Sequence, residues 1–294
     1  MKLQFRLFLI LVLAFISSNS QTLPPNIDAD GEQLFCGDSP MPIVTNVSIQ
    51  NSNGTQGQLD RIYIQIVNGY TIGDDQLILT ELHPNITASW SIGEGKLTLN
   101  GPASFNDFEN AILDVVFSTS QANFTADKIF SINLGEANFL PATGHYYEYL
   151  PDLGITWTEA KSAAEAMTFF GLQGYLATIT TPEEAQLTGA QSPGTGWIGG
   201  SDQGVEGRWV WETGPEEGQV FWNGLADGSA PNGAFAFWNS GEPNSFGDED
   251  YAHITDPNIG LLGSWNDLPN EGEQDPNSPY HPQGYVVEFG GLEG

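Results

Sequence analysis

From about Pro42 to Leu140 the chain places apolar side chains at alternate positions in short runs: "IVTNVSIQ", "RIYIQIVNGY", "QLILT", "ITASWSI", "KLTLN" and "KIFSINL". A period of two sends successive side chains to opposite faces of a strand, and the Gly, Asn and Asp residues between the runs supply turns. The pattern predicts an all-β sandwich of antiparallel strands. One stretch departs from it, "SFNDFENAILDVVF", which has room for a short helical turn. No catalytic constellation accompanies these strands, so a spacer or presentation role is expected.

Near Ala142 the period changes. In "TWTEAKSAAEAMTFFG" Thr156 and Glu159 stand at capping-box spacing, Trp157, Ala160, Ala164 and Met167 fall on one helical face, and Gly171 marks the end. A strand, "GYLATIT", follows. Then "TPEEAQ" repeats the signal, with Thr181 and Glu184 as the second capping box and Pro182 at the first helical position. Beyond residue 190 the chain is rich in Gly, Trp, Asn and Asp, with few long elements. Two helices before a loop-rich β region make an α+β pattern, and long loops in a compact domain usually carry function. The expected division is a leader over 1–20, a β-sandwich spacer domain over 21–140, and an α+β domain over 141–294.

The leader reading rests on "MKLQFRLFLILVLAFISSNS": two basic residues, an apolar run and a small-residue end. The apolar run from Leu7 to Ile16 is too short to span a bilayer, so cleavage and a secreted or cell-surface protein are expected. Without Lys2 and Arg6, five basic residues face 37 acidic ones. That surface repels phosphate backbones and anionic lipid, which argues against nucleic-acid and membrane binding, so neither nucleic acid nor membrane insertion is expected. It suits divalent cations and a salty exterior. Cys36 is the single cysteine, so no intrachain disulfide can form. N-x-S/T sequons begin at Asn46, Asn53, Asn85 and Asn123.

Six stretches carry a family resemblance: "TWTEAKSAAEAM", "GYLATITTPEEAQ", "GWIGGSD", "GEPNSFGDED", "GSWNDLP" and "GYVVEFGG". In order and approximate spacing they resemble a C-type lectin domain, over roughly residues 142 to 291. The preceding β region loosely resembles cadherin-like bacterial surface modules. The lectin resemblance implies an α+β C-type lectin fold, with two helices and a double-loop β region whose long loops bind Ca²⁺ and, through it, a sugar. Matched residue by residue, it implies Glu242, Asn244, Glu249, Asn266 and Asp267 as ligands of the principal Ca²⁺ site. It also implies a cis Glu242–Pro243 bond, which turns two side-chain carbonyls toward one point. The chemistry agrees, because Ca²⁺ takes six to eight oxygen ligands. A sugar hydroxyl donates to a carboxylate and accepts from an amide, and Glu242, Asn244, Glu249 and Asn266 offer both. Asp202 and Glu206, with Glu249 shared, fall where the family places an accessory Ca²⁺ site, while Ser245 stands where an acidic residue often sits. The family's disulfide positions are held by Ala164 with Val287 and by Tyr251 with Asn270, so packing must replace the crosslinks, which suits a bacterial-type exported protein.

Enzymatic readings find no support. His83, His145, His253 and His281 lack partners at metal-ligand spacing, and His253 alternates with core residues in "YAHI". Trp209, Trp211, Trp222 and Trp238 are expected in the core. The expected function is calcium-dependent binding of glycans with mannose-type sugars, as the Glu-Pro-Asn order implies. The alternative is protein adhesion or ice binding by the same fold, with the ion as a staple.

Overall fold

The computed structural model describes residues 25–292, apart from 33, 36–38, 52–53 and 122–126. The leader, Cys36 and the sequons at Asn53 and Asn123 lie outside the described residues. Four antiparallel strands form one sheet in the order Thr87–Ser91, Lys96–Ser104, Gln58–Asn68, Ile129–Asn133. Three more, Met41–Pro42, Val115–Thr119 and Asp75–Leu79, form a second, and Asn26–Asp30 pairs with Asn46–Gln50. The alternation is plain in Gln58–Asn68, where Ile62, Ile64 and Ile66 are fully buried. They share one apolar cluster with Leu97 and Leu99 of their own sheet and with Leu77, Val115 and Phe117 of the other. The region is not all-β, however. Helix α1 (Phe105–Leu113) is capped by Ser104 and Asp107 and adds Phe105, Phe108, Ala111 and Ile112 to that cluster. Its reciprocal cap and helical apolar spacing outweigh the strand pattern on either side.

The later part is built on a ten-stranded sheet. Its path runs Asn138–Leu140, His145–Pro151, Gly284–Phe289, Trp197–Ser201, Arg208–Trp211, Val220–Asn223, and Leu172–Leu176 also pairs with Gly284–Phe289. Strand His145–Pro151 pairs antiparallel with Gly284–Phe289, so the two ends of this region lie side by side. Helix α2 (Trp157–Glu165) has the expected capping box of Thr156 and Glu159. It buries Trp157, Ala160 and Ala164 in a cluster with Leu176, Val287 and Phe289. Ala164 and Val287 are thus fully buried neighbours in one core. Tyr251 packs on Trp157 with ring centroids 4.7 Å apart, and Asn270 accepts from the backbone N–H groups of Trp157 and Thr158. Apolar contact and helix capping occupy the places of both implied crosslinks.

Helix α3 (Pro182–Ala185) is short and continues as a π-helical turn through Gln186–Ala190. Thr181 Oγ1 accepts from Glu184 N, but the Glu184 carboxylate returns to the Thr180 N–H rather than to that of Thr181. The turn faces the earlier sheet. Gln191 Nε2 donates to the carbonyls of Ile66 (2.8 Å) and Glu94 (2.7 Å), and Gln186 Nε2 donates to that of Tyr70. Val67 belongs to the same apolar cluster as Leu187 and Trp209. At Gly189 a Cβ would lie 2.7 Å from Gly263 Cα, so only glycine lets the turn meet the loop after Ile254.

Candidate functional site

Strands Tyr251–Ile254 and Trp265–Leu268 form an antiparallel hairpin, with His253 opposite Asn266 and Ala252 opposite Asp267. Trp265 fixes it from below: the indole is fully buried and meets Trp211, Phe221, Phe235 and Trp238 edge-on. Aromatic rings favour such T-shaped contacts because their positive edges meet negative faces. The approaching chain is tied to this anchor. Asn239 N donates to Trp265 O at 2.7 Å, and Glu242 N donates to Asn239 O at 3.0 Å. The next peptide bond, Glu242–Pro243, is cis.

Past the proline the loop closes on Asp267. Its two carboxylate oxygens accept from Asn244 N at 3.0 Å, and one also accepts from Ser245 N at 2.7 Å. Ser245, Gly247 and Asp248 adopt positive φ, which folds the loop back tightly. Phe246 N then donates to Asn244 Oδ1 (2.8 Å) and to Glu249 Oε2 (3.0 Å), and Asn244 Nδ2 donates to the Glu242 carboxylate. These contacts bring Glu242, Asn244, Glu249 and Asp267 together. Asn266 is 1% exposed, with Oδ1 3.4 Å from His253 Nδ1 and Nδ2 donating to Asp267 O. His253 is the buried strand residue expected, and burial pushes its imidazole down to about 4.

The charges strain against one another. Burial, reinforced by the hydrogen bond and charge of Asp267, pushes Glu242 up to about 8. Burial and the Asp267 charge push Glu249 up to about 7, against the pull of Phe246 N–H. Like charges held close disfavour ionisation, and a cation between them would reverse the shift. A second acidic group lies nearby: Asp202, Glu206 and Asp250 each offer an oxygen within 4.8 Å of the others. Asp202 is 2% exposed and pushed up to about 7 by burial and then by Glu206, Asp250 and Asp267, although Gly207 N–H lowers it. Its Oδ1 has no hydrogen-bond partner among the described residues. The expected third member was Glu249. The structure groups Asp250 there instead, while Glu249 turns to Phe246 N.

No protein-family model matches the chain. It is 36% identical to halomucin of Haloquadratum walsbyi (strain DSM 16790 / HBSQ001), over 80% of its own length and 2% of halomucin's. Over 132 residues it is 33% identical to the alpha-N-acetylgalactosamine-specific lectin of Patiria pectinifera, covering 42% of this chain and 67% of that one. The chain belongs to the C-type lectin family. It is also 35% identical to C-type lectin domain family 4 member M of Hylobates lar, over 31% of this chain and 19% of that protein. The chain thus spans a small share of halomucin and of the Hylobates lar protein.

In this C-type lectin one exposed side chain was absent from the sequence expectations. Phe246 is 84% exposed on the loop that carries Asn244 and Glu249. An aromatic residue isolated among Ser, Gly and Asp in "NSFGDED" cannot join a core, and that isolation was the available signal. Of the tryptophans expected inside, Trp209 and Trp211 are buried, and Trp222 and Trp238 are half-buried against the same cluster.

Proposed function

We propose that this C-type lectin binds glycans in a calcium-dependent manner through Glu242, Asn244, Glu249, Asn266 and Asp267. The observation that carries the reading is the loop closure by Asp267, which gathers oxygen donors whose burial, and then the charge of Asp267, raises Glu242 and Glu249. The donor set fits the ion, being carboxylates and amides with no softer ligand. Bound there, Ca²⁺ supplies open coordination positions for a vicinal pair of sugar hydroxyls. The chain's own groups then orient the sugar. Glu242 and Glu249 accept hydrogen bonds from the sugar hydroxyls, the Asn244 and Asn266 amide N–H groups donate to them, and the Asp267 carboxylate holds the loop by accepting from its backbone N–H groups. Phe246 offers a ring face to the sugar's apolar side. Asp202, Glu206 and Asp250 form the accessory site of this reading, and the unpartnered Asp202 Oδ1 supports it.

The sugar proposed is of the mannose type. Glu242 and Asn244 set which side of the site accepts and which donates, and equatorial 3- and 4-hydroxyls satisfy both. The Patiria relative is named for N-acetylgalactosamine, so mannose against galactose is the comparison that decides specificity. Export, with the leader removed and residues 21–140 as a spacer, completes it; among the described residues no helix is long and apolar enough to cross a membrane. The test is retention on a mannose resin. Chelator should release the protein, and free mannose should elute it better than galactose. The pair Glu242→Gln with Asn244→Asp should narrow or reverse that preference. Retention indifferent to chelator refutes the calcium role, and equal elution by both sugars refutes the mannose preference.

A further inference from the structure

Among the described residues Arg61, Lys161 and Arg208 are exposed or partly so, and Lys96, its side chain 11% exposed, meets Glu94 at 2.9 Å within one hairpin. Arg61 meets Glu136 at 3.4 Å with both more than half exposed, and Lys161 meets Glu165 at 3.7 Å on the surface of α2. Lys128 differs. Its side chain is 6% exposed, and Nζ lies 2.6 Å from Oδ2 of Asp75, whose side chain is fully buried. The two residues belong to different sheets. Asp75 opens strand Asp75–Leu79 of the three-stranded sheet, and Lys128 immediately precedes strand Ile129–Asn133 of the four-stranded one.

A backbone group holds each member of the pair. Thr71 N–H donates to Asp75 Oδ2 at 2.7 Å, so one carboxylate oxygen is held by a backbone donor. Asp75 Oδ1 is buried with no hydrogen-bond partner among the described residues. Gly69 O accepts from Lys128 Nζ at 2.5 Å and aims the amine at the carboxyl group. A buried ion pair retains much of its desolvation cost, and an oxygen with no partner adds to it.

We propose that Lys128 and Asp75 condense to an intramolecular amide that staples the two sheets. One proton passes from the Lys128 ammonium to Oδ1 of Asp75, and the electron pair this frees on Nζ attacks Cγ. The oxygen held by Thr71 N–H carries the negative charge of the tetrahedral intermediate and remains as the amide carbonyl. The C–N bond forms and the bond from Cγ to Oδ1 breaks. Of the three ammonium protons, two leave with Oδ1 as water and one stays on the amide nitrogen. No electrons are transferred and no co-reactant is required. Fixed proximity supplies what an activating group supplies elsewhere, since amine and carboxyl are held in contact by the fold. The product removes two buried charges and closes a loop between residues 75 and 128. A chain with one cysteine has no intramolecular disulfide with which to do this.

The experiment is intact-mass measurement on the full chain, made in a host without N-glycosylation and denatured before analysis. The expected mass is lower than that of the processed sequence by one water. Proteolysis should yield a branched peptide joining the segments around Asp75 and Lys128. The variant Lys128→Arg keeps the ion pair, and circular dichroism checks its fold; it should regain the full mass and lose the branched peptide. A wild-type mass equal to the sequence, with both residues in separate linear peptides, overturns the proposal and leaves a plain ion pair. So does a water loss that persists in Lys128→Arg, which places the dehydration elsewhere.

Discussion

Lowering pH should weaken calcium binding steeply, because the ion and the proton compete for the same two carboxylates. Glu242 is pushed up to about 8 and Glu249 to about 7, chiefly by burial and then by Asp267. Both must be ionised to serve as ligands. Taking the two in turn, the doubly ionised fraction falls ~500-fold between pH 8 and pH 6. Calcium affinity should fall by about two to three powers of ten over the same interval. Each ion bound at pH 7 should release on the order of one proton, mostly from Glu242. The sign for stability is opposite in the metal-free protein. Carboxylates raised in the folded state contribute stability below their unfolded value, and it is lost as pH rises through the folded one. Metal-free protein should therefore lose stability from about pH 4.5 to pH 8, and calcium should restore it. Titration calorimetry at pH 6, 7 and 8, in buffers of different ionisation enthalpy, measures both affinity and proton release. An affinity that changes less than threefold, or binding with no proton release at pH 7, would refute the reasoning.

Ile64→Ala removes a fully buried side chain from the cluster shared by both early sheets. It should cost about 2–5 kcal/mol, the usual range for such a cavity, and urea denaturation showing under 1 kcal/mol would contradict that core. Raising sodium chloride from about 0.1 M to about 1 M, with chelator present, shortens the screening length from ~10 Å to ~3 Å. A chain with formal charge −30 should then melt at higher temperature by differential scanning calorimetry, and a flat or falling melting temperature would count against self-repulsion as a stability term.

The elements with strong local signals were legible in the sequence. Thr156 and Glu159 announced α2 because a cap is made by residues three apart, and the isoleucines of "RIYIQIV" announced a strand because alternation is local. Helix α1 was legible only as a turn, since its capping box lies inside a run of strand-like segments. Glu242, Asn244, Glu249 and Asp267 were gathered through the family resemblance, since no local rule links Asp267 to a loop 23 positions earlier. Asp250 could not be told from Glu249, because two consecutive acids differ only in the face they take. Long-range polar partners left no local mark. His145 Nδ1 lies 2.6 Å from Glu288 across 143 positions, and that contact, with burial opposing it, raises the imidazole above its usual range. Tyr147 donates to both Glu184 and Glu288, which closes a buried network no spacing rule anticipates.

The amide of Gln191 grips two carbonyls of the earlier sheet at once, while Gly189 presses on the loop that leads into Trp265. Two bonds from one side chain resist swivelling, where a single bond would act as a pivot. Among the described residues the hairpin of Asn266 and Asp267 is therefore braced against the earlier strands at this junction. The loop's outward direction is set by the body of the molecule. Copies fixed to a surface would all aim the same way, so their joint grip on a second surface would depend on the spacing of its targets more than on the reach of any one arm.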